Sequence, residues 1–206
     1  VLDGRLRTGG QADPVLSQAL EEAIGNCLSC KACATECPSN VNMALLKAEL
    51  LYARLRRHGI PLGTRLISRV DLLGRWASLT PGLANASLNW RWLRKWMEKA
   101  TGISARRPLP EYARESFCRW FGRTHPKGHA AVQGGRGRVI LWDDCFVRYN
   151  EPHIGIAATK VLESAGYEVT LLKGRACCGR PAFSTGRLDV AENFGQHNVA
   201  LLKDRE

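Results

Sequence analysis

The sequence predicts an α+β multidomain chain, with a helical cysteine module first and a partial α/β domain with a parallel sheet last. Three observations carry this. A run of the form C-x2-C-x2-C-x3-C-P, built from Cys27, Cys30, Cys33, Cys37 and Pro38, lies between two stretches of helical apolar period. A glycine-rich stretch, residues 122–137, divides the chain. Beyond it, short apolar runs alternate with helical patterns, the order expected of strand-helix-strand-helix units.

Residues 1–12 are rich in Gly and Arg and have no apolar period, so they read as a linker. Asp13-Pro14 suits an N-cap and first helical position, and Val15, Leu16, Ala19, Leu20, Ala23 and Ile24 form the stripe of the helix that follows. Cys27 to Pro38 comes next. Three thiolates at every third position and a fourth before proline suit the corners of a cubane 4Fe-4S cluster. Structural zinc usually draws on two C-x2-C pairs about 15 residues or more apart, so zinc and a disulfide cluster stand as the alternatives. Asn40 or Asn42 can cap the next helix, with Met43, Leu46, Leu50 and Leu51 inside and a stop at His58-Gly59. A cluster loop between two helices is a ferredoxin-like arrangement of the alpha-helical kind, assigned to residues 1–59.

In two-cluster ferredoxins the fourth cysteine of such a run ligates the other cluster. No second run of this kind occurs, and Val1 rather than Met opens the chain. The expectation is therefore either one self-contained cube or a partner motif upstream, giving one or two 4Fe-4S clusters.

Residues 60–121 read as a basic helical segment, broken at Thr80-Pro81-Gly82 and Arg106-Arg107-Pro108. The net charge of +11 is concentrated here: residues 51–130 hold 16 Lys and Arg against 4 Asp and Glu. Leu88, Trp92 and Trp96 recur at helical spacing with Arg91, Arg94, Lys95 and Lys99 between them. Aromatic stripes of this spacing are usually core, so the tryptophans are expected to pack inward; a membrane-interface helix is the alternative. Cys118, alone among Phe117, Trp120 and Phe121, reads as a small buried hydrophobe, and His125 and His129 as solvent-exposed.

After the 122–137 linker, Arg138 to Trp142 reads as a buried strand opening into a loop at Asp143-Asp144-Cys145. Pro152 to Gly166 reads as a helix, Tyr167 to Leu172 as a second strand, and the stretch carrying Val190, Phe194, Val199 and Leu202 as another helix. Cys145 follows the first strand, and Cys177-Cys178-Gly179 lies in the loop after the second. Loops at the carboxyl ends of adjacent parallel strands share one edge of the sheet, so the three thiols can converge. Vicinal cysteines rarely pair with each other, which makes metal ligation the better account of Cys177-Cys178.

The spacing C-x31-C-C-G from Cys145 to Gly179 resembles the first half of the cysteine-rich CCG domain. The run from Cys27 through Met43, followed by Leu46-Lys47-Ala48-Glu49, is similar to the iron-sulfur portion of FAD-linked dehydrogenases of the D-lactate and 2-hydroxy acid type. Similar architecture occurs in iron-sulfur subunits of glycolate oxidase and anaerobic glycerol-3-phosphate dehydrogenase, and in heterodisulfide reductase subunits. The resemblance covers residues 13–59 and 138–206, the latter assigned as the N-terminal part of a CCG domain. It implies an electron relay: a 2-hydroxy acid such as D-lactate or glycolate is oxidised at FAD on an adjoining domain or subunit, and electrons leave toward quinone or another acceptor. It gives Cys27, Cys30, Cys33 and Cys37 as cube ligands, and Cys145, Cys177 and Cys178 as ligands of a further iron-sulfur or metal centre. The family's closing C-x2-C, its upstream cluster motif and its flavin domain do not occur in this sequence.

Three ligands leave a cube short and two strands leave a sheet unfinished, so the native polypeptide is expected to continue past Glu206 with a C-x2-C within about ten residues and a further βα unit. No apolar run approaches the roughly 18 residues needed to cross a membrane, and no apolar h-region opens the chain. The expected setting is reducing and cytoplasmic, with attachment to the inner membrane face as an extension of it. A free-standing carrier or redox sensor is the runner-up function. A zinc-stabilised basic nucleic-acid module is the third, weakened because the cations lie on Trp-interleaved helices away from the cysteines; no nucleic acid is expected as partner.

Overall fold

The computed structural model describes residues 18–39, 41–126 and 135–203. The expected Asp13 cap, the 1–12 linker, Asn40 and His129 lie outside them. The described elements run α1 (Gln18–Gly25), α2 (Cys33–Glu36), α3 (Met43–His58), α4 (Leu62–Ile67), α5 (Val70–Ala77), α6 (Pro81–Asn89), α7 (Arg91–Thr101), α8 (Phe117–Thr124), β1 (Gly137–Leu141), α9 (Cys145–Tyr149), α10 (Pro152–Ser164), β2 (Tyr167–Leu171), α11 (Arg180–Ser184) and α12 (Leu188–Lys203). Two compact units result. One holds the described residues up to Ser68 with Gly179–Asn193; the other holds Arg69–Cys178 with the residues from Phe194 onward.

In the first unit Asn42 caps α3, its side chain accepting the Leu45 N–H at 3.0 Å. Gly59, at φ 83°, ends the helix where a residue with a Cβ would be strained. The buried positions of α3 are Ala44, Ala48 and Leu50, while Met43, Leu46 and Leu51, expected inside, are half-buried. Ile24 of α1, Ala182 of α11 and Val190 of α12 are also buried in this unit. Arg54 bridges α3 to Glu21 of α1 at 2.9 Å. A Cβ on Gly186 would lie 2.5 Å from Cβ of Leu51, so this turn also depends on glycine for close approach.

In the second unit β1 and β2 pair in parallel, in register from Gly137 against Tyr167 to Leu141 against Leu171. Parallel strands need a crossover, and α10 supplies it. Phe117, Phe121 and Val169 are buried together, with Trp120, Val139, Leu141, Val147, Ile156, Leu162 and Leu171 packed on them. Burying a Phe or Val side chain stabilises by about 1.5–3 kcal/mol, so α8, α10 and the sheet hold one another through this cluster.

Several segments depart from expectation. Residues 102–116 are not helical: Gly102 takes a left-handed conformation at φ 75°, and Pro108 and Pro110 follow. Side chains hold this segment instead. Arg94, 5% exposed, donates from Nη2 to the carbonyls of Ser104 at 2.7 Å and Arg107 at 2.8 Å. Asn85 clasps both the N–H and the carbonyl of Tyr112. Arg94, not a tryptophan, is the inward residue of α7; Trp92 and Trp96 are 65% and 63% exposed, which overturns the inward packing expected for them. The His125 side chain is covered rather than solvent-exposed, 6% accessible, with its Nε2 2.8 Å from Glu163 Oε1 and its ring stacked 4.3 Å from that of Phe121. Helix α8 extends through Gly122 to Thr124, into the stretch read as linker. Both α9 and α11 lie where loops were expected.

Candidate metal centres

Helix α1 delivers the chain into the cysteine run, with the Cys27 N–H bonded to the Ile24 carbonyl at 3.0 Å. Ser29 and Lys31, on either side of Cys30, hold left-handed conformations at φ 53° and 65°. Neither is glycine, and each such residue costs on the order of 1 kcal/mol or more, so the loop is held in this shape by its surroundings. Those surroundings are visible. Lys47 Nζ donates to the carbonyls of Cys27 at 2.7 Å and Gly25 at 3.3 Å, Arg180 Nη2 donates to that of Ser29 at 3.4 Å, and Lys31 Nζ lies 5.8 Å from the ring centre of Phe183.

Backbone N–H groups point at the sulfurs of this run. Ser29 N–H donates to Cys27 Sγ at 3.4 Å and Met43 N–H to Cys33 Sγ at 3.3 Å. The N–H groups of Val41 and Ser39 hold the Cys37 thiol below its ordinary pKa. Donors aimed at sulfur stabilise negative charge there, as thiolate ligands of a metal require. The chemistry of the donor set therefore fits an iron-sulfur cluster. Cys30 is exposed and Cys27, Cys33 and Cys37 are half-buried; none is in a disulfide. Among the described residues, no group of three or more His, Cys, Asp and Glu side chains is arranged to hold a single metal ion.

The second constellation is built at the carboxyl end of the sheet. Asp144 caps α9, its side chain accepting the Val147 N–H at 2.8 Å, so Cys145 stands at the first helical position just beyond the strand. Asn198 of α12 fixes the other loop, accepting the Ala176 N–H at 2.8 Å and donating to the Cys177 carbonyl at 3.0 Å. The two loops bring Cys145 and Cys177 into hydrogen-bond contact. That contact, opposed by burial and aided by Arg175, holds the Cys145 thiol below its ordinary pKa. Cys178 is exposed, next to Gly179 at φ 82°.

Beneath this pair lies a network that sequence reasoning missed. Asp143, 1% exposed, accepts from Arg148 Nη2 at 2.9 Å, from Arg175 Nε at 3.0 Å and from the Cys118 thiol at 3.2 Å. Burial pushes the Asp143 carboxyl up, but the two guanidiniums outweigh it and leave the pKa lowered. Cys118 is pushed up to about 11 by burial and by the Asp143 charge, so it stays a thiol and joins neither thiol group. The available signal was the pair Asp143-Asp144 after a strand, where only one acid is needed as a cap. Arg175 and Cys177 share a cavity of about 320 Å³ with Asp71, Leu72, Arg75, Cys145, Arg148, Tyr149 and Gly174.

Comparison with known proteins bears on this geometry. Residues 139–206 match the family model of the cysteine-rich domain, CCG. The chain is 31% identical over 140 residues to a subunit of the anaerobic glycerol-3-phosphate dehydrogenase of Escherichia coli K12, covering 68% of this chain and 34% of that one. It is 27% identical over 208 residues to D-2-hydroxyglutarate dehydrogenase of Pseudomonas putida, covering 98% of this chain and 20% of that one. It is 23% identical over 184 residues to an uncharacterized iron-sulfur protein of Methanococcus maripaludis, covering 89% of this chain and 30% of that protein. The chain thus spans about a third or less of the length of these relatives. No solved structure matches it.

Proposed function

We propose that this chain, whose residues 139–206 belong to the cysteine-rich CCG domain family, is the electron-transfer part of a flavin-dependent oxidoreductase that oxidises a 2-hydroxy acid. The observation that carries the reading is the convergence of Cys145 and Cys177 at the end of a parallel sheet, in a chain that also carries a four-cysteine run lined by N–H donors. Bound clusters would supply one-electron carriers between a flavin and an acceptor. The chain's own residues supply the rest. Cys27, Cys30, Cys33 and Cys37 are the ligands of a 4Fe-4S cluster, and Cys145, Cys177 and Cys178 those of a second centre. The N–H groups of Ser29, Ser39, Val41 and Met43 stabilise the thiolate charge, and Asn198 keeps Cys177 facing Cys145.

The substrate class is supported by similarity, along nearly the whole of this chain, to a D-2-hydroxyglutarate dehydrogenase. FAD on an adjoining domain or subunit is the donor, and a quinone or comparable carrier the acceptor. No helix among the described residues is long and apolar enough to cross a membrane. The exposed Trp90, Trp92 and Trp96, with Arg91, Lys95 and Lys99 beside them, suit peripheral contact with an anionic bilayer surface at the cytoplasmic face.

Anaerobically prepared protein should be brown, contain iron and acid-labile sulfide, and lose visible absorption on addition of dithionite. Cys30→Ser should remove or strongly weaken one cluster, while Cys118→Ser should leave iron content unchanged. Stoichiometric zinc without sulfide would defeat the reading.

A further inference from the structure

Two residues that line the cavity at Cys145 and Cys177 each carry a polar atom with no hydrogen-bond partner among the described residues: Arg175 Nη2, a donor, and Asp71 Oδ1, an acceptor. Both are shut off from solvent. The Arg175 side chain is 2% exposed, and its other nitrogens are committed, Nε to Asp143 at 3.0 Å and Nη1 to the Ala176 carbonyl at 3.1 Å. Its plane is further fixed over the Trp142 ring, 5.6 Å from the centroid. The third nitrogen thus has a fixed direction and no oxygen acceptor among the described residues, while the guanidinium stands within reach of the Cys145 thiol. A buried guanidinium N–H left unmade is costly, and such groups in folded proteins normally meet a partner or a bound group. Asp71 stands in the first turn of α5 and lines the same cavity as Cys145, Arg175 and Cys177, so a carboxylate and a guanidinium face one thiol pair.

We propose that Arg175 and Asp71 are opposed potential-setting residues for the centre held at Cys145 and Cys177. Arg175 donates from Nη2 to a sulfur of that centre and raises its reduction potential; Asp71 places a carboxylate across the cavity and lowers it. This rests on the reading of Cys145 and Cys177 as ligands. The physical basis is the charge of the centre itself. Reduction adds one negative charge, which a cationic hydrogen-bond donor stabilises and a nearby carboxylate destabilises. Neither residue is a ligand. Arg175 is committed through Nε and Nη1 to the scaffold, so its third nitrogen is held rigid, as a tuning donor must be.

The test is a redox titration, followed by electron paramagnetic resonance, of the anaerobically isolated holoprotein and its Arg175→Gln and Asp71→Asn variants. Arg175→Gln should shift the reduction equilibrium of this centre at least tenfold toward the oxidised form, about 59 mV lower for one electron. Asp71→Asn should shift it in the other direction. A purely structural role would not produce shifts of opposite sign. Shifts of the same sign, or none in either variant, overturn the proposal. If Arg175→Gln does not accumulate as folded protein, Asp71→Asn decides alone: an upward shift upholds the proposal and an unmoved potential defeats it. Cys145→Ser serves as the control for the underlying reading. If it leaves iron and sulfide content unchanged, no centre is there and both fall. If it removes the centre while the two potentials stay put, only this proposal falls.

Discussion

Asp143 and Arg175 form a buried ion pair, Nε to Oδ1 at 3.0 Å, that ties the end of β1 to the loop carrying Cys177. Arg148 of α9 closes on the same carboxylate, so one acid pairs with two cations inside the fold and offsets one of their two charges. Removing one partner from such a group leaves charge buried and uncompensated, which costs about 3–5 kcal/mol. Asp143→Ala should therefore lower the stability of the second unit by that amount, seen in the urea midpoint at pH 7. The pH dependence has a definite sign. The carboxyl pKa is lowered in the fold, so the stabilisation is fully present above the unfolded value of about 4 and is lost as pH falls through the folded one. Asp143→Ala should flatten the acid limb of the stability curve. An unaltered limb would show that the pair contributes nothing.

Cys118 donates to the other oxygen of Asp143 at 3.2 Å, and its thiol is pushed up to about 11. At pH 8 roughly one molecule in a thousand carries the thiolate, against about one in ten for a thiol of pKa 9, and the thiolate is the reacting form. Alkylation of Cys118 by iodoacetamide should be on the order of a hundredfold slower than that of an ordinary thiol, read by mass spectrometry of the labelled peptide. Asp143→Asn removes one of the two main causes and should accelerate it. Equal rates in both proteins would disprove the coupling.

Gly155 of α10 lies against the face of Phe117, where an added Cβ would stand 2.8 Å from two ring carbons. Phe117 is wholly buried beneath Phe121 and Val169 and has no room to retreat. Gly155→Ala gains helix propensity worth about 1 kcal/mol, yet overpacking a core costs about 1–3 kcal/mol, so the net change should be a loss. A lower Tm with unchanged iron content is expected. A raised Tm would mean that α10 can slide away from α8.

The legible parts of this molecule were those set by local chemistry. The strands, their parallel order, the α3 cap at Asn42 and the stop at Gly59 follow from period and cap residues, and the structure places all of them within a residue or so of expectation. The meeting of Cys145 and Cys177 was legible from topology, because both follow parallel strands. What escaped depends on long-range partners. Nothing local tells that Arg94 rather than Trp92 turns inward, since that choice is made by the carbonyls of Ser104 and Arg107, which need a buried donor. Likewise the His125 side chain turns inward because Glu163, 38 residues away, is there to receive it. Asp71 has no sequence signal at all; only folding sets it beside Cys145.

The outward tryptophans of α7 are the most consequential of these reversals. Trp92 and Trp96 are about two-thirds exposed, Trp90 stacks on Trp92 at 5.8 Å, and Leu79 and Leu83 are exposed as well. Exposed apolar groups among cations suit a bilayer interface, where the rings enter the headgroup region and the charges meet anionic lipid. Sedimentation with vesicles containing phosphatidylglycerol should retain the holoprotein, and vesicles of phosphatidylcholine alone should retain less. Trp92→Ala with Trp96→Ala removes two rings that pack into no core, so stability should change little. If each ring contributes about 1.5–3 kcal/mol on burial, vesicle affinity should fall at least tenfold. Raised salt weakens the contact by screening the cations, but it does the same for nucleic acid, so salt alone does not discriminate. Duplex DNA of arbitrary sequence is the discriminating competitor. Nanomolar DNA binding at physiological salt, with no retention on anionic vesicles, would assign this face to nucleic acid instead.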